Sequence, residues 1–337
     1  MSDEPLLTRH KLHQCAIQKE GFRWVANSCY LDTVLWVLFS SPFPFVEKKM
    51  LFSKPSVEEI GAMGLCGDQS VELFHEFKNM FQRIAHYFQC GVGRQDCSSF
   101  RRLYRKWYKQ CPQLQNKVRF HSGEQQEAQE FLQFVLGLYG MNGMARGAVS
   151  QETFDYGVAS TPRTETKWTL IRRRKDRTQS LIWNVPYQTL RHASHRSIEN
   201  FLERQDHVWN VPLQHQKCHF NALRTTHKLV KFADLLIVSL ERTNPLQNKI
   251  AHYHIDIPET LTDDRGKTLH LFGLICHLGE TPDSGHYVAY GYSSTQEKWY
   301  YYDDMNPPVQ EIGTWGNMET IRRVHTHCVL LFYTKEI

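Results

Sequence analysis

The sequence predicts an α+β protein, with a helical first part and a β-rich second part. Two observations predict it. Between residues 21 and 140, apolar side chains recur at the three-and-four spacing of amphipathic helices. From Ala233 onward, short apolar runs rich in Val, Ile, Leu and Tyr are separated by turn residues, the pattern of packed strands. Strands that follow helices, rather than alternate with them, favour an antiparallel sheet packed against the helices. At 337 residues, 41% hydrophobic and 22% charged, the chain can bury a large core. A net charge of +5 is too small to argue for nucleic acid without a concentrated patch. No apolar run approaches the roughly 20 residues that span a bilayer, so no membrane partner is expected. The nine cysteines form no C-x-x-C pair, and the start MSDEPLLTRHKLHQ has no apolar signal core. Free thiols in a reducing compartment, cytoplasm or nucleus, are expected.

Residues 1–20 are polar and read as a loosely held tail. The next stretch, NSCYLDTVLWVLF, places Leu31, Val34, Leu35, Leu38 and Phe39 on one helical face. Asn27 and Ser28 are good N-cap types, which puts Cys29 in the first turn. Unpaired backbone N–H groups and the positive dipole end favour an anion there, and thiolate is the nucleophilic form of cysteine. A small buried apolar residue is the alternative role for Cys29. The prolines of SSPFPF stop this helix. Gly61, Gly64 and Gly67 mark residues 42–68 as mostly loop. Leu73, Phe74, Phe77, Met80, Phe81, Ile84 and Phe88 make a strong helix from Ser70. Phe100, Leu103, Tyr104, Trp107 and Tyr108 carry another, and both aromatic stripes read as core. A fourth helix over 121–140 buries Ala128, Phe131, Leu132, Val135 and Leu136. Glu124, Glu127 and Glu130 lie near its start, where the dipole favours carboxylates. The same acidic end, with Gln126 and Gln129, would suit a basic extended peptide.

Residues 141–230 are less clear. TKWTLIRRRKD and SLIWNVPY read as two strands of a hairpin or arm, and RHASHRSIENFLERQ as a short helix. The basic run 172–175 is a solvated face or a polyanion patch. His215 and Cys218 have metal-ligand spacing, but no second pair completes a zinc site, so no metal is expected. ADLLIVSLER, AHYHIDIP, TLHLFGLICHLG, GHYVAYGYSS, KWYYYDD and HCVLLFYT read as successive strands. If the strand opening at Gly285–His286 pairs with the one ending at Asp303–Asp304, a carboxylate meets the imidazole. Thiolate, imidazole and orienting carboxylate are the components of acyl-transfer catalysis.

In this order these segments resemble the ubiquitin-specific proteases, papain-like cysteine enzymes that cut ubiquitin from proteins. NSCYLDTVLWVLF matches the family's cysteine box, QQEAQEFL its acidic helix, and LLIVSLERTNPLQNKI its strand with a downstream lysine. GHYVAYGY and KWYYYDD match the histidine and acid boxes. The resemblance covers about residues 20–334. It implies a single catalytic domain over 21–337, with a helical thumb over about 21–140 and a palm and fingers over about 141–337. It implies Cys29 as nucleophile, His286 as general base and acid, Asp303 as orienting acid and Asp304 in reserve. Glu127, Gln129, Glu130 and Tyr287 would line the channel for ubiquitin's basic, Gly-Gly-ended tail. No cofactor is implied; the partners would be ubiquitin and ubiquitin-conjugated proteins. Tyr30-Leu31-Asp32 after the cysteine is most similar to the cylindromatosis-type branch.

Two departures stand out. Most members carry an oxyanion-donating asparagine five residues before the cysteine, where this chain has Trp24. Losing one such donor typically costs about 100- to 1000-fold in rate, and Asn27 is the candidate substitute. The paired C-x-x-C knuckles of the fingers are also missing, so fingers without zinc are expected. Two alternatives stay open: a ubiquitin-binding scaffold that no longer cleaves, and a protease for another Gly-Gly-tailed modifier.

Overall fold

A computed structural model describes residues 17, 18, 20–61, 70–91, 95–110, 119–141, 150–158, 169–177, 181–215 and 218–336. Four helices dominate the first part: α1 (Cys29–Phe39), α2 (Ser70–Cys90), α3 (Cys97–Gln110) and α4 (Ala128–Gly137). Every residue of α1 is buried, including Asp32 and Thr33. This goes beyond the one-faced helix expected, because α1 lies between α2 and α4 on one side and the main sheet on the other. Helix and sheet approach closely at Gly291, where an added Cβ would stand 2.7 Å from the Trp36 ring. Trp36 in turn stacks on Tyr302 at 5.0 Å between ring centres.

The strands, in chain order, are β1 (Ser150–Val158), β2 (Thr169–Arg177), β3 (Ile182–Val185), β4 (Glu203–His215), β5 (Cys218–Lys231), β6 (Leu235–Leu240), β7 (Thr243–Asn244), β8 (Lys249–Ile250), β9 (Thr260–Thr262), β10 (Thr268–Thr281), β11 (Ser284–Ser293), β12 (Lys298–Tyr302), β13 (Gln310–Gly313) and β14 (Cys328–Thr334). The main sheet runs β13-β12-β11-β10-β14-β6-β3, with β9 also on β10. A separate four-stranded sheet runs β2-β1-β5-β4, and β7 pairs β8. Helices and sheets together make the α+β architecture that the sequence predicts.

Several local expectations are corrected. The two strands read as a hairpin separate: β2 pairs β1, while β3 joins the main sheet parallel to β6, with Ile182 opposite Ile237. The stretch 251–258 forms only one bridge, Ser197 to Asp256, and no strand. Its carbonyls serve a side chain instead of a ladder: Ala251 and Tyr253 accept from the buried Arg242 guanidinium at 3.2 and 2.9 Å. The helix expected across 191–205 is two short helices, Tyr187–His192 and Ile198–Phe201, the second capped by Ser197 accepting from the Asn200 N–H. Helical segments also occur at Pro44–Val46, Glu47–Leu51 and Val57–Gly61, where loop was expected. The fourth helix is shorter than expected, with Glu127 at its N-cap and Glu124 ahead of it.

Most of the expected tail lies outside the described residues. Ile17 is buried and donates from its N–H to Gln296, and Gln18 bonds the Phe88 and Gln89 carbonyls. Cys29, Cys97, Cys276 and Cys328 are free, but Cys90 at the end of α2 is disulfide-bonded, so free thiols throughout do not hold. The basic run lies on β2; of HQKC, His215 ends β4 and Cys218 opens β5, and the residues between them and both side chains lie outside the described set. Among the described residues no single helix is long and apolar enough to cross a membrane.

Candidate active site

Cys29 is the first residue of α1 and is 1% exposed. The chain reaches it through two residues in left-handed conformation, Ala26 (φ 48°) and Asn27 (φ 56°). That turn is tied down from three directions. Arg101 of α3 donates to the Val25 and Ala26 carbonyls at 2.9 and 2.8 Å. The Asn27 amide donates to the Gly123 carbonyl at 2.8 Å. The Val25 N–H donates to Ser28 Oγ at 3.0 Å. Ser28 occupies the N-cap position, yet its side chain does not cap the helix: its hydroxyl donates to Asp32 Oδ2 at 2.5 Å.

His286 stands near the start of β11, opposite Leu278 of β10. The preceding Gly285 has φ +145°, and a Cβ there would meet the His277 ring and the Leu278 carbonyl at 2.7 Å. Only glycine fits there without strain. The pairing of β11 with β12, Ala289 opposite Tyr302, delivers Asp303 just past the strand end. His286 Nε2 lies 2.7 Å from Asp303 Oδ1 and 3.6 Å from Asp304 Oδ1. The Cys29 thiol stands near enough to the imidazole to raise its pKa. With Nε2 engaged by Asp303, Nδ1 is the nitrogen left for sulfur. Asp303 is itself held by the Met305 N–H (3.0 Å), Asn306 Nδ2 (2.8 Å) and the Tyr301 hydroxyl (3.2 Å).

Burial opposes charge at each of these groups, and the contacts decide the outcome. Burial pulls the His286 pKa down, but the bond to Asp303, the nearby Cys29 thiol and the charge of Asp304 lift it to about 10. Burial also opposes ionisation of Asp303, yet the donors His286, Asn306 and Met305 hold its carboxyl well below the usual range. Asp304 has less help, and burial lifts it to about 6. Burial and then the Asp304 charge push Asp32 well above the usual range.

Tyr287 is buried and lines a small cavity with Glu127 and Ala128 at the start of α4. Burial, then the charges of Glu130, Glu241 and Asp283, raise the Glu127 pKa, so this face of the site is acidic. Gln129 turns inward: its Nε2 donates to Asn184 Oδ1 at 3.2 Å and its Oε1 accepts from Ser239 Oγ at 2.5 Å. It therefore anchors α4 to β3 and β6, and it lines a small cavity together with Glu127 and Tyr287. Trp24 is 41% exposed, and its N–H donates to the Asp304 carbonyl at 2.9 Å. His286, Asp303 and Asp304 have ligand-type atoms within 4.8 Å of one another.

Cys29, His286, Asp303 and Asp304 are thus brought together from three elements, and Asn27 borders them. Asp32, Tyr301 and Asn306 were not singled out from sequence as parts of this assembly. The signal for Asp32 was available: it is the single charged residue in CYLDTVLWVLF.

No curated protein matches the chain. Among solved structures it is similar to a SAGA DUB module of Ubp8, Sgf11, Sus1 and Sgf73 bound to monoubiquitin (16% identity, TM-score 0.60, 98% of this chain and 71% of that one). A second, bound to ubiquitin aldehyde, gives 14% identity and TM-score 0.61, with 98% and 71% covered. A yeast SAGA DUB module with an Sgf73 variant gives 16% identity and TM-score 0.56, with 94% and 68% covered. At these identities the likeness establishes the fold. The ubiquitin carboxyl-terminal hydrolase family matches residues 20–333, nearly the whole chain, and the chain belongs to that family.

Proposed function

We propose that the chain is a deubiquitinase in which Cys29 cleaves the isopeptide or peptide bond after the C-terminal glycine of ubiquitin. The observation that carries this is the placement of Cys29, at the start of a buried helix, beside an imidazole that is itself bonded to Asp303. His286 holds the thiol proton as an imidazolium, and the Cys29 thiolate attacks the glycine carbonyl carbon. The tetrahedral oxyanion forms beside the helix start, where the Cys29 N–H is available to it. His286 then passes the proton to the leaving amine, and the carbon–nitrogen bond breaks to leave a thioester. Water, deprotonated by the same imidazole, releases the ubiquitin carboxylate and restores the thiol. Asp303 fixes the ring orientation and stabilises the imidazolium.

Asn27 keeps one amide hydrogen beyond its bond to Gly123, and its support is to hold the turn that presents Cys29. Glu127 and Glu130, with Glu241 and Asp283, receive the basic tail. Tyr287 forms the channel wall, and Gln129 positions the helix behind it. Residues 21–337 act as one catalytic domain, with the helices as thumb and the sheets as palm and fingers. Tyr30-Leu31-Asp32 supports a place on the cylindromatosis-type branch, which a panel of linear and lysine-linked diubiquitins would test.

The deciding experiment is release of a fluorophore from the C-terminus of ubiquitin at neutral pH with reductant. Turnover by the wild type, abolished in a folded Cys29→Ala variant, is expected. A folded wild type that binds ubiquitin without turnover overturns the proposal in favour of a scaffold. Turnover confined to another Gly-Gly-tailed modifier overturns the choice of ubiquitin.

A further inference from the structure

Behind the imidazole lies a second acid pair that the reaction does not require. Asp32 is 0% exposed and sits one turn along α1 from Cys29. The Asp304 side chain is also 0% exposed, with Oδ1 at 3.6 Å from His286 Nε2. The two carboxyls are near enough to each other for each to shift the other's ionisation. Asp32 Oδ2 accepts from Ser28, whereas Asp32 Oδ1 and both Asp304 oxygens have no conventional donor. Two buried carboxylates this close repel and leave these oxygens unsatisfied. A single proton between them removes both penalties.

We propose that Asp32 keeps its proton at neutral pH and donates it to the Asp304 carboxylate, so that the pair carries one negative charge and acts as a positioning device beneath His286. Asp32 carries the proton on Oδ1, because Oδ2 accepts from the Ser28 hydroxyl. Asp304 is the ionised member because it alone faces the imidazole. The directions agree: their interaction raises Asp32 and lowers Asp304. The titratable groups around the pair are Cys29 and Tyr30 on α1, Cys97 on α3, His286 on β11, Tyr302 on β12 and the adjacent Asp303. Burial raises Tyr30, Tyr302 and Cys97 and keeps all three neutral, so His286 and Asp303 are the charges that Asp304 meets outside the thiol. The arrangement links Cys29's own helix to the acid loop, so Cys29 and His286 keep their separation. Asp32 touches no reacting atom; it is a positioning residue that works through Asp304.

This inference rests on the proposed catalytic roles, but its first test does not. The infrared carbonyl band of a protonated carboxyl is expected in wild type at neutral pH and absent from Asp32→Asn. Failure to find that difference overturns the shared proton, whether or not the protein turns over ubiquitin. The second test is the acid limb of kcat in the fluorogenic assay, which should fall through about 6 as Asp304 takes up a proton. Asp32→Asn retains an amide donor and should leave that limb near its wild-type place. Asp32→Leu removes the donor and should move it up by about one pH unit, with kcat at neutral pH down about tenfold and KM within about twofold. A folded Asp32→Leu variant with a wild-type acid limb overturns the positioning role. Should Asp32→Leu fail to fold, the infrared difference between wild type and Asp32→Asn still decides the protonation state.

Discussion

Replacing Asp303 with alanine isolates the partner that sets the charge of His286. The imidazole rises from its ordinary 6.5 to about 10, against the pull of burial. At about 1.4 kcal/mol per tenfold change, that difference is on the order of 5 kcal/mol favouring the imidazolium. Asp303, Cys29 and Asp304 share it, and the Asp303 bond at 2.7 Å is the largest favourable contribution. Assigning about half to Asp303 gives roughly 2–3 kcal/mol, or about 30- to 150-fold in kcat/KM if the imidazolium is equally needed in the transition state. The alkaline limb of kcat/KM should move from about 10 down to roughly 8. Stability should change with a defined sign. The raised His286 contributes fully below about 6.5 and loses its contribution as pH rises through about 10. The depressed Asp303 contributes above its ordinary 3.8 and loses its contribution as pH falls toward its lowered value. Asp303→Ala should therefore lose most stability in the neutral range and flatten both flanks. The assay is fluorogenic ubiquitin turnover across pH, beside thermal melts of the same samples. A folded variant within about threefold of wild type, with an unmoved alkaline limb, refutes Asp303 as the orienting acid. Asp304 at 3.6 Å would then hold that role.

Two further outcomes follow from contacts away from the thiol. Arg242 is buried, lowered to about 10 by that burial, and donates to the carbonyls of Cys328, Ala251, Tyr253 and His325. Arg242→Met fills the space but strands those acceptors, and should cost about 3–5 kcal/mol in urea unfolding; a loss below about 1 kcal/mol would show that water replaces the guanidinium. Glu127→Lys reverses one charge on the acidic face of the site and should raise KM about tenfold while kcat stays within about twofold. That penalty should shrink in high salt, and an unchanged KM would place the basic tail elsewhere.

The helices were legible where burial is one-sided. Leu73 through Phe88 on α2 and Phe100 through Tyr108 on α3 follow the 3.6 period because one face meets the core. The helix break across 193–197 was not legible, because it depends on Asp256, distant in sequence, bridging Ser197 and accepting the Ile198 N–H. Residues 251–258 alternate like a strand yet form none, because Arg242 claims their carbonyls. The site divides in the same way. Cys29, His286 and Asp303 each stand at the end of an element whose type can be read locally. Gln129 matches a motif position, but its direction is set by Asn184 and Ser239 across the core.

By itself the sequence determined the main helices, most strands of the central sheet and their order, since apolar period and turn residues are local properties of the chain. Only the tertiary structure decided the partners. It joined β3 to β6, bonded Cys90 in a disulfide, turned Gln129 inward and set Asp32 against Asp304. Such pairings depend on which distant groups are excluded from water together, and desolvation makes a buried charge or amide depend on its neighbour more than on its place in the chain.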